Sequence, residues 1–422
     1  MRGSSPLLSL LIVVACTTRA SSDAPTAVDP EPASQPSVRA AFRGTIDLEA
    51  HLARPGDTVP LELGWAQQCI AETCRVEQTV GTGDDAQTVT IWSTPEATWI
   101  EAAPTRFSEE EATNHRRLLA LFDPEPGAPQ QASRYAHPRL GTTTDTASYG
   151  DYAPEGVPTR ISVDFHDADV AWSGSLSLES VAVGETLEPP TPPPSAEYPE
   201  PSIAELDEGL WDVRIPAHDA RSLVVEFPSF VVVLEAPWSA TVGEEVVDMI
   251  QAQLPDKPIR YVLYSHHHPH YTGGLRAFMA AGASVVTATE QVDFVRDIAG
   301  LDFSLQPDRF AESGAEASVI AFDDTFTIAE DGRSLQVIDI GERSSHTAVY
   351  DVFWLPESKT LIQGDIGWFI APDGAVQVGG RSAGLLEAID AHALPVERLI
   401  QTWPVNSQEP TLDIEAFRAA LK

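Results

Sequence analysis

Basic residues, cysteines and long apolar runs are all scarce in this chain of 422 residues. Lysine and arginine together number 26 against 63 aspartates and glutamates, a formal net charge of -37. That balance excludes nucleic acid as a partner, because phosphate backbones are held by clustered Lys and Arg. The acidic residues are spread along the chain, so they read as a solubilising surface rather than a disordered tail. Three cysteines are too few for a disulfide-stapled scaffold. Cys69 and Cys74 are spaced for a local disulfide; a C-x4-C metal clip would need two more ligands nearby, and that stretch has none. The apolar run at residues 7–15 is too short to span a bilayer. No internal repeat is evident, which removes solenoids and propellers.

What is present begins with a targeting signal. Arg2, the apolar run and Cys16 follow the order of a secretory signal, with a charged region, a hydrophobic region and a cleavage site. Val13-Val14-Ala15-Cys16 resembles the lipobox of bacterial lipoproteins. The resemblance implies a signal peptide over residues 1–15, diacylation of the Cys16 sulfur and attachment to the cell envelope. Thr17, standing where Asp would signal inner-membrane retention, favours the outer membrane. An ordinary signal peptide with an incidental cysteine is the alternative. Residues 16–39, rich in Ala, Ser, Pro and Asp, read as a flexible lipidated tether.

The length and the hydrophobic content of 43% point to two folded domains. A proline-dense stretch, 187–203, cannot form helix or central strand and reads as a stiff linker between them. Before it, residues 40–186 alternate with period two around 45–48, 88–92, 161–165 and 176–178, the mark of strands. Ser108-Glu109-Glu110-Glu111 is a capping box that opens a helix carrying Ala112, Leu118, Leu119 and Phe122 toward a core. This is a β-rich α+β domain of unknown function, resembling lipoprotein-type half-barrels. His51, His115, His137 and His166 stand singly there and read as surface or core residues rather than ligands.

Residues 204–422 change to alternating strands and helices, the pattern of a layered α/β domain. Strands are expected at 223–227, 230–234, 261–264, 284–287, 335–338, 349–354 and 361–363. Helices are expected at 244–253, 274–281, 290–298, 385–391 and 412–421. The strand at 261–264 runs directly into Ser265-His266-His267-His268-Pro269-His270-Tyr271-Thr272-Gly273-Gly274. Its imidazoles therefore sit on a loop at the strand's carboxyl end. His266 and His268, two apart, can point one way while His267 points another.

This run resembles the first motif of the metallo-β-lactamase superfamily, T-H-x-H-x-D-H-x-G-G. The likeness extends over about residues 207–420, through Ala217-His218-Asp219-Ala220-Arg221, Glu235-Ala236-Pro237, Ser345-His346-Thr347 and Gln363-Gly364-Asp365. It implies an αββα sandwich in which His266, His268 and His346 hold a metal and Asp365 is the carboxylate that normally bridges two. The departures lie in the second site: His270 replaces the aspartate, Tyr271 the following histidine, and Trp403 the final one. His218 is expected to border the pocket or to cap a loop.

Three neutral imidazoles leave zinc a fourth tetrahedral position for water, whose pKa zinc lowers from 15.7 to about 7. One zinc ion is therefore expected. His270 is the candidate general base, Tyr271 the donor to an oxyanion, and Asp365 the group orienting His270 or the water. The small-molecule substrate would be an ester, thioester, lactone or amide, and the sequence does not name it. The rival reading is a degenerate site on a binding or scaffold lipoprotein.

Overall fold

The structure, a computed structural model, describes residues 38–50, 59–82, 86–101, 103–166, 170–183, 186–367, 369–370, 375–376, 379–405 and 411–422. The signal segment 1–15, Cys16 and the rest of the tether to residue 37 lie outside the described residues, as does His51. Among the described residues no helix is long and apolar enough to cross a membrane. They fall into two compact units, one running to Tyr135 and then over Thr143–Glu197, the other Ala136–Thr142 with Tyr198–Lys422.

Among the described residues the first unit is one sheet of nine strands with one α-helix. Strands β1 to β9 are Val38–Ala50, Val59–Ile70, Thr73–Val80, Gln87–Ser93, Thr98–Ile100, Gln130–His137, Gly141–Tyr149, Arg160–His166 and Val170–Val183. Their order is β5-β4-β3-β2-β1-β9-β8-β7-β6. Residues 38 and 39, expected to close the tether, already belong to β1, where Val38 pairs with Cys69 on one side and Val183 on the other. Helix α1, Glu109–Leu121, starts as its capping box demands: the Ser108 hydroxyl accepts from the Glu111 N–H and the Glu111 carboxylate accepts from the Ser108 N–H. It buries Leu118, Leu119 and Leu121, with Phe122 after it, among Phe42, Ile46, Trp65 and Val76 of the sheet. Trp65 stacks on Phe122 at 4.5 Å between ring centroids. Cys69 and Cys74 lie opposite one another across β2 and β3 and are joined as a disulfide.

His166 does not stand alone. It lies 3.4 Å from the fully buried Asp145, whose other oxygen accepts from Arg117 at 2.6 Å. His115 is buried against Trp65 and Phe107, with ring centroids 6.4 and 6.1 Å away.

The second unit is a four-layer sandwich. Strands β10 to β16 are Ser202–Asp207, Leu210–Ile215, Ala220–Glu226, Val231–Leu234, Ile259–Leu263, Ser284–Ala288 and Ser318–Phe322, in that order across one sheet. Strands β17 to β20 are Thr325–Glu330, Arg333–Asp339, Asp351–Leu355 and Thr360–Gln363, and the short β21 and β22, Phe369–Ile370 and Ala375–Val376, pair separately. Strands β23 and β24, Arg398–Gln401 and Thr411–Asp413, complete the other sheet, ordered β17-β18-β19-β20-β23-β24.

Strand alternation builds the layers. From the first sheet Leu223, Val225, Val232, Leu234 and Leu263 face Leu335, Val337, Phe353, Ile362 and Ile400 of the second, forming the inner core. Their alternate neighbours Val224, Val231 and Val233 face outward onto α2, Ala240–Gln253, through Val242, Val246 and Ile250. On the far side Val352, Trp354, Leu361 and Leu399 pack under Leu385, Ala388 and Ile389 of the helix Gly380–Ala391 and Phe417 of the helix Ile414–Ala420. Period-two side chains buried on both faces explain why these strands read as unbroken apolar runs.

Several boundaries differ from the sequence reading. The helices expected at 244–253 and 385–391 begin earlier, at Ala240 and Gly380. Residues 411–413 extend the sheet as β24, Leu412 pairing with Leu399, and the final helix waits until Ile414 because Asp413 caps it through the N–H groups of Glu415 and Ala416. The strand expected at 349–354 is Asp351–Leu355. Residues Ala136–Thr142, inside the stretch assigned to the first domain, group with the second unit, where Thr142 binds the Asp302 carbonyl and its hydroxyl accepts from Leu305 N–H at 3.1 Å.

Burial, with a smaller push from Arg116, lowers the His115 pKa from 6.5 to about 4. As pH falls the unfolded chain therefore takes up this proton first. The associated stability is complete above about 6.5 and lost between 6.5 and 4, roughly 3 kcal/mol in all. In urea unfolding at pH 7 and pH 4.5, His115→Phe should lose about 2 kcal/mol less than the parent on acidification; equal losses would refute the assignment.

Candidate metal centre

Strands β13 and β14 run parallel, as do β20 and β23, so the loops after all four open at one end of the sandwich. Glu235 follows β13, Ser265 and His266 follow β14, Asp365 follows β20, and Thr402 and Trp403 follow β23. His346 enters from the turn after β18, where the Ser344 hydroxyl accepts from the N–H groups of His346 and Thr347 at 3.2 Å each. The one-turn helix α3, Pro269–Thr272, begins at His268 with proline in its first turn, which needs no N–H there. Gly273 is obligatory: a Cβ would lie 1.9 Å from the Trp238 carbonyl oxygen.

The ligand-bearing atoms of His266, His268, His346 and Asp365 all lie within 4.8 Å of one another. His266 Nε2 and His268 Nδ1 are 2.7 Å apart. Asp365 Oδ2 lies 3.4 Å from His346 Nε2, and Oδ1 lies 3.9 Å from His266 Nε2. His267 is not in this group; its ring lies 6.2 Å from Phe294. His266, His268 and Asp365 are almost wholly buried. Burial drives the His266 pKa well below its ordinary value, against the pull of Asp365, and so favours the neutral imidazole that a metal requires. Burial opposes the charge on Asp365, yet His266 and His346 beside it hold the carboxyl well below the usual range. Neutral imidazoles and an ionised carboxylate with converging lone pairs fit a divalent cation.

His270 stands at the edge of the cluster, its ring 6.0 Å from His266 and 5.4 Å from His268. It packs on Trp403 at 4.5 Å and Trp238 at 5.6 Å. Tyr271 lies 4.6 Å from His266, with its hydroxyl buried and burial holding it well above its ordinary pKa. His218 closes a short turn, Pro216–His218, and is buried, which lowers its pKa to about 4; Asp219 after it accepts from Val405 N–H.

Several supporting residues have no role in the sequence reading. Glu235 Oε2 accepts from the Ser265 N–H at 3.0 Å and Oε1 from the Thr402 hydroxyl at 3.2 Å, so one side chain joins two site loops. Ser265 is held further by Asp351 N–H on its carbonyl, and its hydroxyl lies 3.1 Å from His266 Nδ1. The buried Arg221 grips Asp212 through Nε and Nη2 and donates from Nη1 to the Gln401 carbonyl at 2.7 Å, fixing the end of β23. Tyr350 and Arg381 reach Asp365. Glu235 is legible in the sequence only as an acid ending an apolar run, inside a stretch that already matched the family pattern.

Burial raises the Glu235 pKa from 4.5 to about 8, Asp365 adding to the shift and hydrogen bonds from Ser265 and Thr402 resisting it. Glu235→Ala would leave both donors without their acceptor. The expected cost is about 2 kcal/mol in denaturant unfolding and a loss of roughly tenfold or more in affinity for a divalent metal by chelator competition. Parent-like affinity would show that the loops hold without it.

No protein-family model matches the chain. Among curated proteins it is similar to an alkyl/aryl-sulfatase of Saccharomyces cerevisiae, 25% identical over 138 residues, which are 28% of this chain and 21% of that protein. The chain thus spans about a fifth of that relative's length. Among solved structures it is similar to a metallo-β-lactamase from Pontibacter korlensis at 18% identity and a TM-score of 0.39, covering 53% of this chain and 97% of that one. It is similar also to the metallo-β-lactamase FIM-1 of Pseudomonas aeruginosa in its mono-zinc form, at 19% and 0.37 over 52% of this chain and 92% of that one. The inverting sec-alkylsulfatase Pisa1 of a Pseudomonas species follows at 17% and 0.37, over 52% and 40%. With two sheets between helical layers, and three imidazoles and a carboxylate meeting on the loops at one end, the second unit has the αββα layering that the resemblance to the metallo-β-lactamase superfamily implies.

Proposed function

We propose that the second unit is a mononuclear zinc hydrolase acting on an ester, thioester, lactone or amide of a small molecule, carried by an exported lipoprotein. The reading rests on the convergence of His266, His268, His346 and Asp365 within 4.8 Å. His266 Nε2, His268 Nδ1 and His346 Nε2 would hold the ion, with Asp365 beside them. Zinc in that place supplies Lewis acidity and an activated water. Asp365 keeps its negative charge and, through Tyr350, a fixed orientation. His270, packed against two indoles at the edge of the cluster, is the proton carrier in this proposal. Tyr271 acts in this proposal through packing against His266 rather than on substrate, since its hydroxyl is buried. A second zinc is not part of the reading, because His270, Tyr271 and Trp403 occupy the remaining ligand positions.

One observation favours the rival reading of a non-catalytic binding lipoprotein. His266, His268, His270 and Asp365 are at most 5% exposed, little surface for a substrate to reach.

Purified full-length protein should carry about one zinc by elemental analysis, and His346→Ala should lower that content at least tenfold. A panel of carboxyl esters, thioesters, lactones, amides and, given the sulfatase likeness, sulfate esters should show turnover that His266→Ala abolishes. Protein that stays zinc-free after reconstitution sinks the hydrolase reading; zinc without turnover on any substrate favours the binding protein.

Export and anchoring are proposed from Arg2, the apolar run and Cys16. Expressed in a bacterium, the parent should fractionate with the outer membrane and Cys16→Ser should be released into the soluble fraction; identical fractionation would refute lipid attachment.

A further inference from the structure

Tyr350 leads into β19 and is fully buried, though none of the ligand roles above accounts for it. Its ring stacks on that of His266, with centroids 4.7 Å apart and planes 22° from parallel. Its hydroxyl accepts from the backbone N–H of Asp365 at 2.9 Å and donates to Asp365 Oδ1 at 3.2 Å. A phenol has one proton to give, and here it is committed to Oδ1. The other oxygen, Oδ2, is turned toward His346 Nε2 at 3.4 Å and Arg381 Nη1 at 3.6 Å. A carboxylate with both oxygens unengaged can chelate one cation or bridge two; a hydrogen bond to one oxygen occupies one of its lone pairs, weakens it as a donor and turns the other oxygen toward an ion.

The room for this clamp is made by Gly364. A Cβ there would lie 2.6 Å from the Tyr350 hydroxyl and 2.7 Å from that of Ser265. Any other residue would push the phenol off Asp365.

Building on the metal-centre reading above, we propose that Tyr350 is the positioning residue that fixes Asp365 as a one-oxygen ligand. It keeps Oδ1 on its hydroxyl and leaves Oδ2 alone to a divalent cation held by His266, His268 and His346.

Cobalt(II), whose visible bands weaken as ligands are added beyond four, is the probe. Full-length parent protein should bind one equivalent with the moderately intense bands of five-coordinate cobalt, from three imidazoles, Asp365 Oδ2 and the water that the hydrolase reading requires. Tyr350→Phe should bind at least tenfold more weakly, and its bands should lose intensity as Asp365 turns both oxygens to the ion. In an Asp365→Ala background, Tyr350→Phe should cost less than a further twofold, because the tyrosine acts through the carboxylate. Weak six-coordinate bands in the parent overturn the proposal even if the variant does not fold. Equal affinity of parent and Tyr350→Phe overturns it, as does a loss that persists in the Asp365→Ala background. Parent protein that takes up no cobalt overturns the hydrolase reading and this one together, whereas binding without the Tyr350 effect overturns this one alone.

Discussion

One buried carboxyl group holds the active end of the second unit together. Glu235 sits where β13 stops, in a left-handed backbone conformation with φ of 72°, and from there accepts from Ser265 on the loop after β14 and from Thr402 on the loop after β23. The two loops carry the histidine run and Trp403, so the two sides of the site share one anchor. Its backbone is equally engaged, the N–H donating to Leu263 and the carbonyl accepting from Ser222. A non-glycine residue at positive φ carries a cost of roughly 1 kcal/mol or more, and here four hydrogen bonds offset it. Mostly neutral at pH 7, the group avoids the larger penalty of an ionised carboxylate beside the charged Asp365.

Around that anchor the design is of support behind ligands. Three of the four converging residues are backed by a hydrogen bond or a stacked ring: His266 by Ser265 and Tyr350, His346 through its backbone N–H by Ser344, Asp365 by Tyr350. Metal sites are tuned through such contacts as much as through the ligands. The side with altered residues is built differently. His270 packs on the indoles of Trp238 and Trp403 at the edge of the cluster.

Much of this is legible in the sequence, for physical reasons. Strands such as Val231–Leu234 announce themselves because both faces are buried, and the capping box at Ser108 fixes its helix start through two local hydrogen bonds. The histidine run places itself at a strand end because the apolar pattern stops at Leu263. What escapes is set by contacts distant in sequence. Strand β24 is three residues long, too short for periodicity, and exists because β23 offers it an edge. Ala136–Thr142 belongs to the second unit through bonds to residues beyond 300. Tyr350 looks like one more apolar residue in a strand approach, and only its phenol's place beside Asp365 gives it a role.

Gly364 links these parts in a further way. Because the missing side chain is what lets hydroxyls of Ser265 and Tyr350 close on the Asp365 loop, the three positions form a set whose members are not free to vary one at a time. A larger residue at 364 would be tolerated only alongside a smaller one at 350, and that exchange would also remove the ring beneath His266. Tyr271 shares that constraint, since its hydroxyl would lie 3.0 Å from the same Cβ and its ring packs on His266, so the first site is coupled to the altered side through this one glycine.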